Sequence, residues 1–131
     1  MPGVAGQPST KPVLQHTFKA DADLSSYKFR FVIFSAENTV SYATANTNVA
    51  LGILQDEPNA ASESANIMME GISLLELGGT VTRGAGLMCH TAGEGITATN
   101  NKPICAIALQ SGVDGDFIPV LLTPAAYLSS S

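Results

Sequence analysis

This sequence predicts an all-β fold, a compact small β-barrel or β-sandwich carrying an extended N-terminal arm. Three observations lead there. Apolar residues recur in short runs, several alternating with a period of two. Clusters of Gly, Asp, Asn and Ser punctuate those runs at short intervals. The first twenty residues hold Pro2, Gly3, Gly6, Pro8 and Pro12, with apolar residues too scattered for a helix or a core strand.

The strands follow in order. Phe29, Phe31 and Ile33 alternate with Lys28, Arg30 and Val32, which predicts a strand with one apolar face. Val49, Leu51 and Ile53 alternate with Ala50 and Gly52, a strand whose other face is small. Segments 87–91 and 96–99 flank Ala92-Gly93-Glu94-Gly95, a hairpin whose glycines are expected to supply positive φ angles. Segments 104–109 and 117–122 flank a second Gly/Asp connection, 111–116. Pro119 lacks an N–H for a ladder, so it is expected on an edge strand or at a bulge.

Segment 66–77 reads two ways. Ile67, Gly71, Leu74 and Leu75 fit a helical stripe with Ser62 or Ser64 as a cap, and they fit a strand equally well. A mid-helix Gly71 would cost about 1 kcal/mol relative to Ala. A weak repeat is also visible. Leu51-Gly52-Ile53-Leu54-Gln55 leads through an acidic loop to Ile67-Met68-Met69, and Ala106-Ile107-Ala108-Leu109-Gln110 leads similarly to Ile118-Pro119-Val120. Two copies of one β-unit could form the halves of a small barrel or sandwich.

At 131 residues the chain is long enough to bury a core without disulfides or metal. The net charge of -5 argues against nucleic acid, and no basic stripe reverses it. Charged residues make up only 13% of the chain, against roughly a quarter in ordinary soluble domains, which points to surface buried against neighbours. Charge is unevenly placed, net +2 over residues 1–30 and net -7 over the remainder. No secretory apolar region opens the chain and no run of 18 apolar residues is present, so synthesis in a cytosol with no membrane partner is expected.

Catalytic chemistry finds few residues. His16 and His90 are the only histidines, and adjacent Cys89 and His90 would face opposite ways in a strand. Neither a zinc ligand set nor a Cys/His nucleophile pair assembles, and Cys89 and Cys105 are expected as buried, unbridged thiols. Most acids lie in turns; Glu70 and Glu76 lie in apolar runs, where a charge facing solvent or a basic partner is the favoured reading. Gly84-Ala85-Gly86 lacks the third glycine and the βαβ setting of a dinucleotide site. No cofactor is expected, and the chain is read as a non-enzyme.

Phe18-Lys19-Ala20-Asp21-Ala22-Asp23-Leu24-Ser25 precedes the first strand. Gly52-Ile53-Leu54-Gln55, Glu70-Gly71-Ile72 and a Gly-rich hairpin follow, and the close is Ala106-Ile107-Ala108-Leu109 with Gly115-Asp116-Phe117-Ile118-Pro119-Val120-Leu121-Leu122. In that order these elements resemble the small decoration, or cement, proteins of tailed-bacteriophage heads, over residues 18–123. The resemblance implies a β-tulip-like body, segment 66–77 as a strand kinked at Gly71, and homotrimers on the outer capsid surface of the virion. Its partners would be the major capsid protein and further copies of itself. The longer Pro/Gly-rich arm and the Asn/Ala/Ser-rich loop 56–64 depart from that pattern.

The expected organisation is an arm (1–20), a β-barrel or sandwich decoration domain (21–123) and a short tail (124–131). Lys11, Pro12, His16, Phe18 and Lys19 are the candidate partner-binding residues. Removal of residues 1–17 is expected to leave the body folded, because no strand is foreseen before Phe18. Other phage structural subunits (tail, fibre or head–tail connection) are the alternative, and a small trimeric β-enzyme is a more distant one. A carbohydrate-binding module would need an exposed aromatic platform, for which the chain offers no Trp and only Tyr27, Tyr42 and Tyr127.

Overall fold

The computed structural model describes residues 10–127. It contains nine strands: β1 (Lys11–Ala20), β2 (Phe31–Ala36), β3 (Thr39–Tyr42), β4 (Gly52–Leu54), β5 (Ser64–Glu76), β6 (Gly86–Cys89), β7 (Gly95–Thr97), β8 (Pro103–Ala108) and β9 (Phe117–Tyr127). No helix occurs among the described residues, so the all-β expectation holds. All nine strands share one sheet, in the order β1-β3-β2-β4-β5-β9-β8-β6-β7, and β1 pairs with β5 as well. That extra pairing closes β1, β3, β2, β4 and β5 into a ring. At the other end a parallel bridge from Leu77 to Gly95 draws β7 back against the end of β5.

Two hydrophobic cores result. The smaller gathers Ala20, Leu24, Val32, Val40, Leu54, Ala65 and Ile67. The larger includes Phe31, Ile53, Met68, Leu75, Leu87, Cys89, Cys105, Ile118 and Val120. Neighbouring residues of β2, β4 and β5 feed different cores: Phe31 and Val32, Ile53 and Leu54, Met68 and Ile67. Those strands are buried on both faces there, which is why their sequences carry apolar pairs where a one-sided strand would alternate.

β5 is the shared element. Its first part pairs with β1 and β4, and its second part with β9. Segment 66–77 is therefore strand through Glu76. The helical spacing has a local cause. The register with β1 slips between Leu14 opposite Glu70 and Gln15 opposite Met68, which leaves Met69 as an extra residue. Ala65, Ile67 and Met69 pack with the smaller core, whereas Leu75 and Leu77 pack with the larger. The odd positions change sides across the slip, and a phase change of a period-two pattern imitates a period near four.

The arm needs correction. A strand begins at Lys11, seven residues earlier than foreseen, and runs antiparallel to β5 from Lys11 opposite Ile72 to Lys19 opposite Ser64. Residues 10–17 are all exposed, so this strand is held by backbone pairing without an apolar face and leaves no periodic signal in the sequence. Gly71, with φ at +123°, makes the approach possible, because a Cβ there would collide with the backbone of Lys11 and Val13. Residues 1–9 of the expected arm lie outside the described residues.

Two further boundaries differ. The expected tail begins inside β9, which continues to Tyr127 and pairs Ala126 and Tyr127 with Ile104 and Pro103 after a register shift. Pro124 sits within that irregular stretch, where a missing donor is tolerated. Residues 128–131 lie outside the described residues. Pro119 is not on an edge: β9 lies between β5 and β8. Its carbonyl accepts from Leu109 N–H at 3.0 Å, one position past the end of β8. Both backbone groups of an antiparallel residue point to the same neighbour, so the missing N–H falls where that ladder stops.

Both units of the sequence repeat are antiparallel pairs, β4 with β5 and β8 with β9, joined side by side through β5 and β9. The β6–β7 hairpin forms as expected. Of its two glycines, only Gly93 has positive φ; Gly95 is required because a Cβ would strike Leu75.

Candidate interaction surface

β1 places the expected partner-binding residues along one exposed ribbon. Among the described residues only Lys19 and Ala20 pair with β3, so from Lys11 to Phe18 the strand is hydrogen-bonded to β5 on one side and has no described strand on the other. Val13 is 72% exposed and Leu14 48%, unusual for apolar residues with no core to reach. His16 and Phe18, two residues apart on one face, meet edge to face with centroids 4.8 Å apart. Phe18 then meets Phe34 of β2 at 5.3 Å. The result is a row of three rings running from the strand onto the outer half of the β2–β3 hairpin, where Phe34 is 53% exposed.

Lys11 and Pro12 stand at the far end, opposite Ile72 and Gly71, away from the ring row. Lys19 stands at the other end, opposite Thr39. The five residues therefore share one strand, but only His16 and Phe18 form a cluster. Val13, Leu14 and Phe34 were missed as surface residues. Phe34 had a signal: it falls out of phase with Phe29, Phe31 and Ile33.

A second surface feature is a cavity of ≈ 360 Å³ between the segment before β2 and the start of β9. Phe29 and Phe117 form one wall with Leu74, their rings 6.1 Å apart at 77°. Ser26, Lys28, Glu57 and Glu76 supply the polar side, and the Lys28 ammonium lies 5.0 Å from the Phe29 ring centre. Phe29 has φ at 65°, a conformation that a bulky residue adopts only when its surroundings impose it. Its N–H donates to Leu54 and its carbonyl accepts from Glu76, each at 2.8 Å, so the strained backbone is pinned on both sides.

The suspected acids separate. Glu70 is exposed, whereas Glu76 accepts from Arg30 Nε at 3.0 Å, and Arg30 also donates to the Ala92 carbonyl. Cys89 and Cys105 are both buried and unbridged, and both sulfurs approach the Asn48 carbonyl, at 3.8 and 3.9 Å. The hydrogen bond to Cys105, together with burial, pushes the Cys89 thiol well above its usual range. His90 is half-buried and lies one residue past the end of β6. Among the described residues no group of three His, Cys, Asp or Glu side chains converges as a metal site.

Neither a protein-family model nor a curated protein matches this sequence. Among solved structures, the crystal structure of the head fiber gp8.5 N base in bacteriophage phi29 superimposes with a TM-score of 0.67, covering 89% of this chain and 98% of that one. The two share a fold. Their sequences are 12% identical, so the likeness lies in the strand framework and no surface residue carries over from one to the other.

Proposed function

We propose that this chain is a non-enzymatic structural subunit of a bacteriophage head, bound to the outer surface of the shell. The observation that carries the reading is the open, two-sided β1 ribbon, on a fold shared with the base of a head fibre. An exposed strand edge binds by adding itself to another sheet, the main chain giving affinity and flanking side chains giving specificity. Here the flanking groups are Val13, Leu14 and the His16–Phe18–Phe34 row, with Lys11 and Lys19 at the ends. The basic ribbon on an acidic body suits an acidic shell surface.

In the cementing role the subunit is a homotrimer that bridges shell proteins against the pressure of packed DNA. Three linked footholds give high avidity without a large interface at each. A second reading, the base of a fibre, is favoured by the structural neighbour.

Sedimentation of shell particles with added protein tests attachment. The exposed substitutions Phe34→Ala and Val13→Asp should each lower occupancy at sub-saturating concentration. A loss of about 1.4 kcal/mol per foothold is tenfold, and linkage compounds it. Full occupancy by both variants would sink the β1 reading. DNA release on heating separates the roles: a cement raises the temperature of release, and a fibre base leaves it unchanged.

A further inference from the structure

We infer that the cavity beside Phe29 and Phe117 is a binding site for a neutral saccharide, a function separate from attachment to the shell. Its volume of ≈ 360 Å³ lies at the small end of ligand pockets, with room for about one or two sugar units. The lining is two-sided. Phe29, Leu74 and Phe117 supply apolar surface, and Ser26, Lys28 and Glu57 supply a hydroxyl, an ammonium and a carboxylate, the ammonium lying 5.0 Å from the Phe29 ring centre. A pyranose ring has the same division, with a C–H face that lies against aromatic rings and a rim of hydroxyls that both donate and accept hydrogen bonds.

Charge selects the ligand class. Glu76 is neutralised by Arg30, which leaves Lys28 and Glu57 as one positive and one negative group. A net-neutral rim favours neither an anion nor a cation, whereas it serves a ligand with many hydroxyls. The aromatic wall is also held in place. Phe29 is kept at φ 65° by hydrogen bonds to Leu54 and Glu76, and Phe117 is 49% exposed at the start of β9. A strained bulky residue displayed beside an exposed ring marks a site built for contact. The composition lacks Trp, and since the two rings stand 77° apart the exposed Phe117 ring provides the platform in its place.

The test uses the free protein, so its outcome is independent of shell attachment. Labelled protein is applied to an array of neutral oligosaccharides, acidic oligosaccharides and basic peptides. Binding to neutral oligosaccharides is expected, and titration with a bound one should move the amide NMR signals of residues 26–29, 57, 74–76 and 117. Phe117→Ala should weaken binding tenfold or more, and Phe34→Ala, on the β2–β3 hairpin, should leave it unchanged. Glu57→Gln, at an exposed position, should also weaken binding and decides the matter if Phe117→Ala fails to fold. Retention of no neutral glycan, binding to acidic glycans or basic peptides alone, or equal loss in the Phe117 and Phe34 variants would overturn the inference.

Discussion

Gly71 shows how one missing side chain sets the path of a strand. With φ at +123° and the backbone of Lys11 and Val13 packed where a Cβ would stand, alanine there is strained and obstructed together. Gly71→Ala should destabilise by about 2 kcal/mol or more, since a residue outside its preferred φ region costs about 1–3 kcal/mol before any clash is counted. Chemical denaturation measures it, and an unchanged midpoint would mean that β1 does not need the close approach. Cys89 presents the opposite case, a small buried side chain whose sulfur has only a long contact to a carbonyl, 3.8 Å to Asn48, as its backbone partner. Cys89→Ser places a hydroxyl among buried apolar neighbours and should cost about 1–3 kcal/mol, read by the same method. Because the native thiol is buried and its pKa is raised, little of the reactive thiolate forms near neutral pH. Alkylation of Cys89 should therefore be slow until the protein unfolds.

At the scale of elements, β1 decides what truncation does. Deleting residues through Thr17 removes most of the pairing along one side of β5 and bares the edge from Asn66 to Ile72. A bared edge invites pairing with other chains. The truncated protein should lose thermal stability and self-associate in light scattering, contrary to the sequence-based expectation of an intact body. A monodisperse product with the full-length melting temperature would show that β5 does not depend on β1. β1 was illegible because both of its faces are exposed from Lys11 to Thr17, and burial is what imprints periodicity on a sequence. The β6–β7 hairpin was legible for the converse reason: its turn glycine and flanking apolar runs are local requirements. Of the interaction surface, His16 and Phe18 were legible. Phe34 joins them only because β2 and β1 meet in space.

For the whole molecule, β5 ties two cores into one body. Ile67 faces the smaller core and Met68 the larger, and both are fully buried or nearly so. Ile67→Ala and Met68→Ala should each cost about 2–5 kcal/mol. Each variant should still unfold in a single transition, because neither core can lose β5 and survive. Two separated calorimetric peaks in either variant would show that the two cores fold independently. The proposed trimer makes its own prediction: light scattering of the full-length protein should give about three times the 13.5 kDa of one chain. Monomers both in solution and on the particle would rule out the avidity argument.

The sequence by itself determined the β class, the positions of most core strands, the Gly-rich hairpin and the inward thiols. All of these rest on contacts close along the chain or on simple burial, which composition and spacing record. Tertiary structure alone decided that β1 closes onto β5, that Pro119 lies inside the sheet, and that Phe29 and Phe117 face one cavity. Those outcomes depend on which distant segments meet. The pairing energy lies in backbone groups that every residue except proline carries alike, so residue identity leaves it largely unwritten.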